Sequence, residues 1–318
     1  MYAIGIDVGG TNLKAGLVDE DCGLVAVRSQ PLAFESQEAM GESLARMAVA
    51  LAEEEHIPRE QIRSIGMGFP GPVDDRRGVV IKTTNIPLKE MPVAEMVHRH
   101  WDVPVHLGND ADCAAWGEYR CFAPEAESLV LVTLGTGVGT GVILDGKLRT
   151  GINGCAAEGG HMVIAEDGRP CPCGRRGCWE QYASATALIR DTREAMERDP
   201  GSALWKVAGS LEAVDGRTPF AALHMGDSTA KAVVDSYIRY LASGIVNFIN
   251  IFQPEVVCIG GGVSKAADED LLLPLRKLVR ELSFDHEEIE PHTRLVKAQL
   301  GNDAGIIGAA LLGTPKSR

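Results

Sequence analysis

The chain has 318 residues, 45% hydrophobic and 24% charged, which is ordinary for a globular protein and long enough for two lobes rather than one core. Its formal net charge of −13, from 31 basic and 44 acidic side chains, argues against a nucleic-acid partner, because phosphate-backbone binding needs clustered Lys and Arg. A small phosphorylated ligand stays open, since backbone N–H groups bind anions whatever the global charge.

The opening MYAIGIDVGGTNLK lacks the basic and apolar regions of a signal peptide, and no stretch reaches transmembrane length without charges or turns. Of eight cysteines only three cluster, so a reducing cytoplasm is the expected setting.

In chain order, YAIGID and LKAGLVD read as strands around the glycine turn VGGT, with LVAVRSQ a third strand. EAMGESLARMAVALAEEEH is an amphipathic helix, and IRSIGMGFPG a strand entering a Gly-Pro turn. VVIKTT leads to a short helix, PVAEMVHRHW; VPVHLGN is a strand ending at Asn109 and Asp110, and ADCAAWGEYR a helix. At residue 128 the opening layout restarts: SLVLVTL, the turn GTGVG, then TGVILDG, a duplication that points to two related lobes. Residues 184 to 250 are mostly helical, including STAKAVVDSYIRYLASGIVNFINIF, before the strand EVVCIGG and the turn GGGVS. LLLPLRKLVRELSF and DAGIIGAALLG close the chain as helices. Strands alternating with helices predict an α/β fold.

Asp7 closes the first strand, and Gly9, Gly10, Thr11 and Asn12 form a turn whose N–H groups can cradle phosphate. Taken alone, DVGGT is as well explained by a tight hairpin. It is neither GxGxxG nor Walker A. The turns at 135–139 and 260–262 repeat the arrangement, and three such turns fit one nucleotide site better than three accidental hairpins. Lys14 either reaches phosphate or is a solvated side chain. Asp110 is the candidate general base, at a strand-to-helix junction beside Asn109, which can donate to and accept from a polyol. A helix cap explains Asn-Asp equally well, and Asp112 or Glu118 are alternative acids.

His161, Cys171, Cys173 and Cys178 give one nitrogen and three thiolates, a set suited to tetrahedral zinc, with Gly174 and Gly177 for the tight turns. Four protein ligands leave no open position, so such a zinc is structural. Cys173→Ala is expected to lose it. Glu158 and Glu180 flank the cluster. As a carboxylate pair they could serve glycoside hydrolysis, but the glycine turns have no task in that reaction.

DVGGTNLK, GFPGPVD at 68–74, LGNDADCAAWGE, LVTLGTGVGTGVILDGKL, EGGHM, CPCGRRGCWEQYAS and IGGGVS stand in the order found in the ROK family of repressors, open reading frames and sugar kinases. The chain resembles that family over nearly its whole length, and within it the ATP-dependent bacterial glucokinases. The resemblance implies a two-lobed actin-like, ribonuclease-H-like fold with duplicated lobes around a cleft, commonly homodimeric. The expected smaller lobe is 1–118 completed by a C-terminal helix, 302–318; the larger is 119–301 with the zinc loop 161–178.

The implied reaction is transfer of the ATP γ-phosphate, with magnesium, to a hexose 6-hydroxyl, glucose foremost. Asp110 is then the base. Asn109, Glu158, His161 and Glu180 hold sugar hydroxyls, helped by groups near Gly68 and Gly71. Asp7, Gly9, Gly10 and Thr11 approach phosphates and magnesium, Thr136 and Gly137 the phosphates, and Gly261 and Gly262 the nucleoside. His161 is expected to bind zinc through one nitrogen and a sugar hydroxyl through the other. Many repressors of the family carry an N-terminal DNA-binding domain; with a first strand read from residue 2, none is expected here. The glycine doublet before His161 and Trp179 before Glu180 carry no legible sugar preference. Mannose, fructose, allose or an N-acetylhexosamine as acceptor, polyphosphate as donor, and a non-catalytic sugar sensor are the alternatives.

Overall fold

Alternating and near-continuous apolar runs build the first sheet. Tyr2–Val8 and Asn12–Asp19 pair as an antiparallel hairpin, Leu24–Pro31 adds outside it, and Ile62–Phe69 then Val105–Asn109 join the other edge in parallel. The computed structural model of the chain describes residues 1–83, 85–284 and 289–314. Both central parallel strands are apolar almost throughout, as burial on two faces requires. The helix Gln37–Glu54 covers one face with Met40, Leu44, Met47, Ala48 and Leu51, and the Ser36 hydroxyl caps it by accepting from the Ala39 N–H at 3.0 Å.

A second five-stranded sheet runs Lys147–Leu148, Val138–Leu144, Leu129–Leu134, Val256–Gly261, Arg294–Lys297. In each sheet the third, second, first, fourth and fifth strands follow in that order, so the duplication predicted at residue 128 is present in the topology. Arg294–Lys297 was not expected: four residues with two cationic ends carry little apolar pattern, and parallel pairing with Val256–Gly261 defines the strand. A small antiparallel sheet, Val73–Asp74, Val79–Lys82 and Lys89–Met91, also went unpredicted; VVIKTT supplies its middle strand, and Thr84 lies outside the described residues.

Residues 184 to 250 are mostly helical as expected, with Ala185–Arg198 and Ser228–Phe252 the longest helices of that stretch. Among the described residues no helix is long and apolar enough to cross a membrane.

The chain divides into two compact units: Met1–Leu131 with Gly141–Ala157 and Gln299–Arg318, and Val132–Thr140 with Glu158–Ala298. In the first unit the expected C-terminal helix runs Ala304–Leu311 after a single turn at Gly301–Asp303; residues 315–318 lie outside the described residues. This helix lies on bare backbone. A Cβ at Gly5, Gly66 or Gly308 would overlap the carbonyl oxygens of Ile306, Ala309 and Cys113 respectively. Gly5 and Gly66 thus set the distance between this helix and the sheet, and Gly308 its distance from the helical backbone at Cys113.

Candidate active site

In the first unit, three parallel strands end side by side. Asp7 is in register with Gly68, and Phe69 with Asn109, which brings Asp7, the Gly68–Gly71 segment and Asn109–Asp110 to the carboxyl edge of one sheet. That edge is where open α/β sheets bind ligands. Asn109 is the N-cap of the helix Asp110–Phe122: its Oδ1 accepts from Ala111 N at 2.8 Å and Asp112 N at 3.3 Å. The capping alternative therefore holds for Asn109, while its Nδ2 remains a donor for a ligand. Asp110 is exposed, with Oδ1 accepting from Ala111 N at 2.8 Å.

The alternative acids are buried. Glu118 accepts from Gln299 N at 3.0 Å and Leu300 N at 2.8 Å, tying its helix to the segment before the C-terminal helix. Burial pushes its carboxyl above the usual range, an effect these hydrogen bonds partly offset. Asp112 is buried as well.

The first glycine turn closes through Gly9 N, which donates to Asn12 O at 3.0 Å, and leaves Gly10, Thr11 and Asn12 exposed. Asp7 behind it is held above the ordinary carboxylate range by burial, partly offset by Lys14. The Lys14 ammonium bonds the Asp303 carboxylate and, at 3.3 Å, Asn302 O. Asp303 was missed from sequence; its only local sign is an acidic residue opening a small-residue helix. Gly71, with φ +150°, passes so close to Lys82 O that a Cβ would overlap it.

In the second unit the turn Gly135–Gly137 is fixed from two sides. Thr186 Oγ1 donates to Thr136 O at 2.8 Å and Ala185 N to Gly135 O at 2.9 Å, while Glu180 Oε2 accepts from Val138 N at 3.1 Å. Glu180 packs where a Cβ of Gly137 would be, so a side chain at 137 would displace the Glu180 carboxylate. Gly261 ends the strand Val256–Gly261 at φ +86° against the backbone of Leu134, and Gly262 is exposed.

His161, Cys171, Cys173 and Cys178 converge, their ligand atoms all within 4.8 Å of one another. Cys171 Sγ lies 3.7 Å from His161 Nδ1, and Cys173 Sγ 3.6 Å from Cys178 Sγ. Zn–S and Zn–N bonds of ~2.3 and ~2.0 Å in a tetrahedron put ligands ~3.5–3.8 Å apart, so the donor set and both spacings fit zinc. Burial, then the neighbouring Cys173 and Cys171, push the Cys178 thiol up to about 12. Glu158 is exposed, and its carbonyl accepts from His161 N at 3.0 Å. The doublet Gly159–Gly160 has a packing reason: side chains there would overlap Phe248 and the Val138 carbonyl, while Gly159 N donates to Thr140 Oγ1 at 2.9 Å. Trp179 is fully buried on Gly244, with Nε1 donating to Tyr240 O at 2.7 Å.

The sequence model of the ROK family matches residues 3–315. The chain belongs to the ROK family. A glucokinase of Streptomyces coelicolor is 36% identical over 314 residues, covering 96% of each chain. An N-acetylmannosamine kinase of Salmonella typhi is 30% identical, covering 98% of each. The crystal structure of a ROK family glucokinase from Streptomyces griseus, in complex with glucose and AMPPNP, has a TM-score of 0.81 at 34% identity over 98% of this chain and 99% of that one. The paired five-stranded sheets of this ROK protein are accordingly the actin-like sugar-kinase fold that the sequence resemblance implied.

Proposed function

We propose that this ROK protein transfers the γ-phosphoryl group of ATP to the 6-hydroxyl of a hexose, with glucose the preferred acceptor. The observation that carries the reading is the Asp110 carboxylate, exposed at a helix N-terminus on the sheet edge that also presents Asp7 and Gly68–Gly71. Likeness to glucokinases over the whole chain supports it.

In this reading Asp110 accepts the proton of the 6-hydroxyl as its oxygen attacks phosphorus. Asn109 Nδ2, Glu158, Glu180, His161 Nε2 and backbone groups of Gly68 and Gly71 hold the remaining hydroxyls. Fixed hydrogen bonds of this kind discriminate between epimers, because a misplaced hydroxyl leaves a polar group unpaired. Backbone N–H groups of Gly9, Gly10, Thr11 and Asn12, with Thr136 and Gly137, cradle the phosphates, and Gly261 and Gly262 lie against the nucleoside. Lys14 acts at the phosphates by holding its strand to the Asn302–Asp303 turn.

Asp7, a half-buried carboxyl whose neutral form desolvation favours, fits a divalent cation that would restore its charge. Asp7 would hold magnesium there, which would supply charge neutralisation on the phosphates. His161 and the three thiolates would hold zinc, which would supply a cross-link for the loop bearing Glu158 and Glu180. A homodimer in the cytoplasm completes the proposal.

The test is coupled ADP release across glucose, mannose, fructose, allose, N-acetylglucosamine and N-acetylmannosamine, with ATP and then polyphosphate. Highest kcat/KM for glucose with ATP is expected. Preference for N-acetylmannosamine would reassign the acceptor, in line with the 30% identical relatives. Tight sugar binding with no turnover on any sugar would leave a sensor instead of a kinase.

A further inference from the structure

Gln181 follows Glu180 in the short helix Glu180–Ala183, and its amide nitrogen stands between two acceptors. Nε2 donates to Cys171 Sγ at 3.8 Å and to Glu180 Oε1 at 3.5 Å. The other carboxylate oxygen, Oε2, already accepts from Val138 N at 3.1 Å. The two contacts, the shorter from Val138 N and the longer from Gln181, together orient the Glu180 carboxylate.

The Gln181 backbone is itself clamped. Its N–H donates to Cys178 O at 2.9 Å, and its carbonyl accepts from Arg190 Nη2 at 2.6 Å and Arg169 Nη1 at 3.3 Å. The side chain therefore leaves a rigid base. A primary amide has two N–H donors, one for each anionic acceptor, and this match is specific: leucine has no donor, and glutamate would present a third negative charge to a thiolate and a carboxylate.

We infer that Gln181 is a positioning residue that couples the metal-binding loop to the sugar site by bridging Cys171 to Glu180. The inference rests on the reading that Glu180 holds sugar hydroxyls. It assigns a task to a residue outside both the metal set and the acids. A hydrogen bond to a thiolate ligand draws charge from sulfur and orients it, so the same amide acts on metal retention as well as on sugar affinity.

The experiment measures, for wild type, Gln181→Leu, Gln181→Glu, Glu180→Gln and the double variant Glu180→Gln with Gln181→Leu, the glucose KM, kcat and the rate of zinc release to a chromogenic chelator. Loss of outer hydrogen bonds to metal ligands lowers metal affinity about 10–100-fold, so both Gln181 variants should release zinc about tenfold faster. Glucose KM should rise about tenfold in both, with kcat within about twofold, because the lost contact serves ground and transition states alike. In the Glu180→Gln background the further Gln181→Leu change should move glucose KM by less than about twofold, since coupled residues are non-additive.

Wild-type KM and zinc release in both Gln181 variants, while Glu180→Gln loses glucose affinity, would overturn the inference and leave the sugar-site reading intact. Unchanged glucose KM in Glu180→Gln would overturn that reading and the inference with it. If Gln181→Glu fails to fold, Gln181→Leu, which adds no charge, decides alone.

Discussion

Glu118 shows how a sequence that offers several acids near a strand end is resolved by burial. Its carboxylate accepts from two backbone donors, Gln299 N and Leu300 N. Glu118→Ala removes the charged acceptor of both donors and should cost about 1–3 kcal/mol in urea unfolding. The pH dependence has a definite sign. Because burial raises this carboxyl above its ordinary 4.5, the folded state keeps a proton that the unfolded chain has released, so stability falls as pH rises from 4.5 through the folded value. Glu118→Gln should flatten that slope in a series of melts between pH 4 and 7; an unchanged slope would assign it to another group. Asp110 could be singled out in sequence because the polar pair falls where an apolar strand stops. Lys14 could not be placed, since its partner Asp303 is 289 positions away and ordinary in its local pattern.

At the scale of elements, strands ending in glycine turns and the 25-residue helix Ser228–Phe252 were legible because their periodicity is long and uninterrupted. The strand Arg294–Lys297 and the three-stranded sheet were not, because segments of two to four residues acquire their state from pairing partners. The glycine doublet 159–160 became interpretable only when Phe248 and Val138 were seen against it. Glycines also supply a direct test of helix seating. Gly308→Ala drives a methyl into the Cys113 carbonyl and should destabilise by about 1–3 kcal/mol or more, whereas Gly216→Ala, which meets nothing within 4 Å, should stay within about 0.5 kcal/mol. The metal loop is a second such element. Cys173→Ala should lose zinc, measured by atomic emission, and weaken both thermal stability and glucose binding; full activity in a zinc-free protein would refute the scaffold role.

For the whole molecule, duplication is the organising fact. A three-strand antiparallel run followed by two further strands occurs twice, and each copy puts a glycine turn between its first two strands. The turns at Gly9–Gly10 and Gly135–Gly137 are thus equivalent positions of one ancestral layout, and only the first copy carries Asn109–Asp110 at its fifth strand. The fifth strand of the second copy is Arg294–Lys297, without a carboxylate at its end. That asymmetry accords with the proposal of a single general base, Asp110, in the first copy. The most direct measurement is the kcat of Asp110→Asn with glucose and ATP, alongside calorimetric glucose binding. The account predicts that kcat falls about 10²–10⁴-fold while glucose still binds. A variant that turns over within a few-fold of wild type would contradict it.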